Sequence, residues 1–117
     1  MKVKHLLKTR DFADILKTSR KESEELVSVR IRPGEKKSAL IRVGIIISKK
    51  FAPKAVDRNY MRRIIYAYFS KHGQAFNKEA DIIVRLEKNT RSLSKTALSR
   101  EIRKELKNLT EKKGLIV

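Results

Sequence analysis

The run from Arg42 to Phe51 passes from β-branched residues into Ser48-Lys49-Lys50 and then hands on to Ala55-Val-Asp-Arg-Asn-Tyr-Met-Arg-Arg63. An apolar strand thus feeds, across a short polar break, a helix with arginines in its opening turns. At about 3.6 residues per turn, Arg58, Asn59, Arg62 and Arg63 fall within an arc of roughly 140°, while Met61, Ile64, Ile65 and Tyr68 take the opposite side. Burying the apolar side anchors the helix and leaves the cationic side displayed. Planar guanidinium groups there suit bidentate contacts with phosphates, and an asparagine can hydrogen-bond a base or backbone. The pattern is that of a surface for a polyanion.

The charge of the whole chain agrees. Its 117 residues carry a net charge of +17, with a pI near 10.5, which is more than solubility requires and costs self-repulsion. The excess is patched: residues 1–21 carry +5, 22–48 carry +1, 49–63 carry +5, 64–84 carry 0 and 85–117 carry +6. Such a distribution points to nucleic acid as the partner. With no cysteine there is no disulfide framework, thiolate metal site or redox couple. No run of about 18 apolar residues exists to span a membrane, so a soluble, cytoplasmic protein is expected, most simply a single domain over residues 1–117.

Along the chain, Thr9 caps an expected short helix to about Thr18, with Phe12, Ile15 and Leu16 at helical spacing. Alternation from Leu26 to Arg32 puts Val27, Val29 and Ile31 on one side of a strand and Ser28, Arg30 and Arg32 on the other. After a turn over residues 33–38, the run from Ala39 to Ser48 returns as a second strand, with Val43, Ile45 and Ile47 opposing Gly44, Ile46 and Ser48. The two are expected to form a hairpin. The arginine helix should end near His72-Gly73; Asp81 to Leu86 is a third strand; and Ser92 or Ser94 caps a final helix to about Thr110, with Leu98, Ile102, Leu106 and Leu109 inward and Arg100, Arg103, Lys104 and Lys107 outward.

The chain is poorly equipped for catalysis. His5 and His72 are its only histidines, one in a terminus expected to be mobile, the other at a helix end where a cation meets the dipole favourably. Glu22, Glu24 and Glu25 cluster in an expected loop, and the other acids are scattered among lysines and arginines. No nucleophile, base or metal-binding carboxylate set is apparent. Phe12 and Tyr60 are the aromatic residues best suited to stack on unpaired bases.

Together, Arg42-Val-Gly-Ile-Ile-Ile-Ser-Lys-Lys, Ala55-Val-Asp-Arg-Asn and Met61-Arg-Arg resemble the signature of the bacterial ribonuclease P protein family, supported by Arg10-Asp-Phe12, Asp81-Ile-Ile-Val and the basic last helix. The resemblance implies an α+β fold, a two-layer α/β sandwich like the second domain of ribosomal protein S5, with a four-stranded sheet and a left-handed β-α-β crossover against the usual hand. It also implies a protein without catalytic residues, serving an endoribonuclease whose RNA, with bound Mg2+, removes the 5′ leader from precursor tRNA. Arg58, Asn59, Arg62 and Arg63 would then meet the catalytic RNA. Phe12, Leu16, Arg30, Ile46, Ser48 and Lys50 would line a cleft for the leader, with one protein per RNA, and the protein would support metal binding at the active site. Tyr60 and Tyr66 stand where the family commonly has basic residues, and Leu16 where an aromatic is frequent. The segment from Lys49 to Ala55, with Pro53 inside it, is one residue longer than usual. The alternative is a basic ribosomal or ribosome-assembly protein, which needs no leader cleft; a self-sufficient protein nuclease lacks its catalytic set.

Overall fold

The computed structural model describes residues 2–5, 9–33, 40–72 and 79–112. Its organising element is β5 (Ala80–Leu86), in which Ile82, Val84 and Leu86 are buried toward one side and Ile83 toward the other. A strand with an apolar side chain buried on each face belongs in the middle of a sheet. β5 accordingly lies between β3 (Val27–Pro33), with which it runs antiparallel, and β4 (Leu40–Ile46), with which it runs parallel. This corrects the expected hairpin: β3 and β4 follow each other in the chain but are separated in the sheet by β5.

Two short strands extend the edges. β1 (Lys2–His5) pairs in parallel with β4, with His5 beside Val43, so His5 belongs to a strand and not to a mobile terminus. β2 (Lys21–Ser23) pairs antiparallel with β3 and takes Glu22 out of the expected loop. The sheet order is β1-β4-β5-β3-β2. The four-stranded body implied by the resemblance is β1-β4-β5-β3, and the three-residue β2 adds to its edge.

Between β4 and β5 the chain runs through α2 (Ala55–His72), completing a β-α-β crossover. Lys54 C=O accepts from the N–H groups of Asp57 and Arg58, and Asp57 places negative charge at the helix's positive end. Its predicted inner face holds, with Met61, Ile64, Ile65 and Tyr68 all buried. α3 (Lys95–Lys112) begins after Ser94, whose Oγ accepts from Ala97 N–H at 3.2 Å, so Ser94 is the cap and the helix runs two residues beyond Thr110.

α2 and α3 cover one face of the sheet and enclose the main core, in which Val29, Val43 and Val84 from three strands meet Phe69, Ile102 and Leu106. Each such side chain contributes about 1.5–3 kcal/mol relative to exposure. α1 (Thr9–Thr18) covers part of the other face, where Ile15 and Ile83 form a small second core with Phe12 and Ile46 against it. The expected helix boundaries of α1 hold.

One buried acid fastens the layers. Glu105 Oε1 accepts from Leu26 N–H at 2.7 Å and Val27 N–H at 3.0 Å, while its Oε2 has no hydrogen-bond partner among the described residues. Burial pushes the Glu105 carboxyl up; the Val27 and Leu26 N–H groups oppose this, and the neighbouring Glu101 carboxyl raises it further.

Candidate nucleic-acid interface

The pairing registers arrange the sheet face beneath α1 in rows. Arg32, Asp81 and Arg42 form one row, Arg30, Ile83 and Gly44 the next, and Ser28, Arg85 and Ile46 the third. Gly44 has no side chain, which leaves Ile83 room to meet Ile15 from α1 at the middle of this face.

Each row is built differently. In the first, Arg42 Nε donates to Asp81 Oδ1 at 2.7 Å and Nη2 to Oδ2 at 2.8 Å, while Arg32 Nη2 donates to the same Oδ2 at 2.7 Å. Burial raises the Asp81 pKa, but hydrogen bonds from Arg42 and Arg32, together with their charges, outweigh it and hold the carboxyl below its usual range. One carboxylate thus serves two arginines. In the second row Arg30 Nη1 donates to Ser19 C=O at 2.9 Å, so its guanidinium secures the end of α1. In the third, Ser28 Oγ donates to Glu87 Oε1 at 3.1 Å; Glu87 also pairs with Lys21 at 2.9 Å and Arg85 at 3.5 Å. Burial raises the Glu87 pKa, and the Lys21 and Ser28 hydrogen bonds with the nearby cations override it.

The residues implied for leader contact fall into two groups. Phe12 and Ile46 lie against the Ile15–Ile83 core, and Leu16, one turn after Phe12, is 39% exposed. Arg30 shares their sheet face but already has a backbone partner. Ser48 and Lys50 lie beyond the end of β4: Ser48 C=O accepts from Phe51 and Ala52 N–H, and its Oγ accepts from Lys50 N–H at 3.0 Å. The exposed Lys50 ammonium lies 5.9 Å from the Phe51 ring centroid. The sequence reading missed Arg85, exposed beside Ile46. Its signal was the alternation of β5, which puts Arg85 on the same side as Ile83.

On α2, Asn59 and Arg63 are exposed. Arg58 Nη1 donates to Ala52 C=O and Pro53 C=O, each at 2.9 Å, and so fixes the loop before the helix. Arg62 Nη1 reaches Asn59 Oδ1 at 3.3 Å. Tyr60 points elsewhere: its hydroxyl donates to Lys95 C=O at 3.1 Å, and Lys95 Nζ lies 5.6 Å from its ring centroid, tying α2 to the start of α3. Tyr66 OH donates to Val43 C=O at 3.4 Å; burial raises its pKa, with the Arg62 charge acting in the opposite sense.

Among the described residues no three His, Asp or Glu side chains are grouped so as to hold a metal ion, and no helix is long and apolar enough to cross a membrane. The donor set therefore does not fit a metal held by these side chains alone. One side of the sheet carries the apolar Phe12, Leu16 and Ile46 with the exposed Arg85 beside Ile46, and α2 on the other side carries the exposed Asn59 and Arg63.

The sequence model of the Ribonuclease P family matches residues 1–110. The chain is 34% identical to the ribonuclease P protein component of Chromobacterium violaceum over 100 residues, covering 86% of this chain and 74% of that one. It is 33% identical to that of Bordetella avium over 95 residues, covering 81% and 78%. Its fold superposes on the RNase P protein of Staphylococcus aureus with a TM-score of 0.81 at 24% identity, over 99% of this chain and 100% of that one. The Thermotoga maritima RNase P protein gives 0.72 at 26% identity, over 91% and 94%. The arginine helix, the crossover that carries it and a match over nearly the whole chain agree: this chain belongs to the ribonuclease P protein family, as the protein component of that endoribonuclease.

Proposed function

We propose that this subunit holds the 5′ leader of precursor tRNA on the sheet face beside α1 while the exposed edge of α2 engages the catalytic RNA. The observation that carries the reading is the composition of that sheet face: Phe12, Leu16 and Ile46 offer apolar and aromatic surface, with Arg85, Lys21 and Lys50 as cations around them. A single strand in extended form needs both, because its bases seek a surface on which to stack and its phosphates seek charge. Recognition of this kind tolerates varied leader sequences.

Arg30 contributes by holding α1 in place, and Ser48 by shaping the turn that presents Lys50. Arg58 has a similar double part, since it orders the loop before α2 as well as adding charge. Asn59, Arg62 and Arg63 make the direct contacts with the RNA. Hydrolysis belongs to the RNA with its Mg2+, and the protein raises local affinity for the substrate and so favours metal binding at the RNA's active site. One protein serves one RNA in the cytoplasm. Family membership leaves the ribosomal alternative without support.

The absence of cysteine makes the test clean, because a single introduced thiol labels one position. A photoreactive group on Leu16→Cys should crosslink to leader nucleotides of bound precursor tRNA, and one on Asn59→Cys to the catalytic RNA. Crosslinks from Leu16→Cys to the mature tRNA body alone would refute the leader assignment.

A further inference from the structure

A second cationic track runs along the seam between α2 and α3, on the sheet face opposite α1. The helices lie side by side in the same direction: Tyr60 near the start of α2 bonds to Lys95 of α3, and Tyr68 two turns later bonds to Thr110. Two clefts of about 440 and 350 Å³ open along this seam, and Arg103 lines both. Tyr60, Thr96 and Ser99 contribute to the first; Ala67, Lys71 and Lys107 contribute to the second.

The charges here are sorted. From Arg58 to His72, α2 contains no acidic residue. On α3, Glu105 is buried against the start of β3, and Glu101 lines a different cleft with Glu25 and Lys88. Lys71, Arg103 and Lys107 have no ion pair among the described residues; Glu111, near Tyr68, is the acid at the far end. Like charges held together at a groove cost repulsion that an anionic partner would relieve. The track is also continuous with the first one, since helical geometry puts Arg63 about 40° around α2 from Ala67.

We propose that the α2–α3 seam is a second backbone-binding track for the catalytic RNA, which wraps from Arg62 and Arg63 over onto Lys71, Arg103 and Lys107. This rests on the RNA-subunit reading above. The small side chains of Ala67 and Ser99 leave the groove open between cationic walls, so a phosphate backbone can seat in it without base-specific contacts.

The test is equilibrium binding of the full chain to a bacterial ribonuclease P RNA across a salt series, comparing wild type with Arg103→Ala/Lys107→Ala. Losing two phosphate contacts should reduce the logarithmic salt slope by about 1.4–1.8, so the affinity drop between about 50 and about 200 mM salt should shrink about tenfold. Lys71→Ala, on the other helix, should give about half that change in slope, which keeps the test valid if the double variant folds poorly. Lys88→Ala removes the same charge as Lys71→Ala at an exposed position outside the seam and should leave the slope near wild type. Wild-type slope in both seam variants, or an equal loss in the charge-matched control, would overturn the track. Failure of wild type to bind this RNA would instead overturn the RNA-subunit reading.

Discussion

Arg42 holds Asp81 through two parallel hydrogen bonds, Nε to Oδ1 at 2.7 Å and Nη2 to Oδ2 at 2.8 Å, and so joins β4 to β5 at the sheet face that α1 partly covers. Arg32 completes the pairing from β3 at 2.7 Å. Asp81→Ala would remove the carboxylate that both partly buried guanidinium groups share, and should destabilise the protein by about 1–3 kcal/mol in urea unfolding at neutral pH.

The same pairing sets an acid limb. The Asp81 pKa is lower in the folded chain than in the unfolded one, so its stabilisation is complete above the ordinary aspartate value and is lost as pH falls through the lowered one. Unfolding measured from neutral to acid pH should therefore show a loss in wild type that is smaller in Asp81→Asn. An equal acid limb in both would remove Asp81 as its source.

Glu105 acts with the opposite sign. Its folded-state pKa is raised, so the contribution of its protonated form is full below the ordinary glutamate value and is lost as pH rises through the raised one. Glu105→Gln can keep the oxygen that accepts from Leu26 and Val27 and adds an N–H donor beside Glu101, so it should match or exceed wild-type stability at neutral pH. Glu105→Ala leaves both backbone donors without this acceptor and should cost about 2–4 kcal/mol. Thermal melts of the two variants separate these outcomes.

Tyr60 joins two helices through a bond to Lys95 C=O in an exposed setting. Tyr60→Phe should lower stability by about 0.5–1 kcal/mol. The leader-length effect on substrate affinity should stay unchanged, because the tyrosine lies on α2, away from the α1 face. Titrating the variant with long-leader and short-leader substrates checks this.

Phe12 and Ile46 border the small core around Ile15 and Ile83. If bases stack there, Phe12→Ala should weaken binding of a long-leader substrate by about 1–3 kcal/mol and hardly affect a leaderless one. Fluorescence anisotropy with labelled substrates of both kinds reads the difference directly.

Much of this was legible because it is local. The spacing of Met61, Ile64, Ile65 and Tyr68 fixed the inner face of α2, and alternation put Ser28, Arg30 and Ile46 away from the main core. Strand order was less accessible, since the hairpin expected for β3 and β4 depended on chain proximity, whereas in the fold β5, with Ile83 buried on one face and Ile82, Val84 and Leu86 on the other, lies between them. Residues 32, 42 and 81 come from three strands, so no sequence window contains their ion-pair group. Likewise, nothing near Arg30 in the chain signals that its partner is the Ser19 carbonyl. β1 has only four residues and carries no alternation long enough to announce a strand.

The most direct measurement is cleavage of precursor tRNA by a bacterial ribonuclease P RNA at low magnesium, with and without this protein, on substrates with long and nearly absent leaders. Stimulation by the protein should be large for the long leader and small for the short one. Equal stimulation of both substrates would contradict a leader-binding face beside α1.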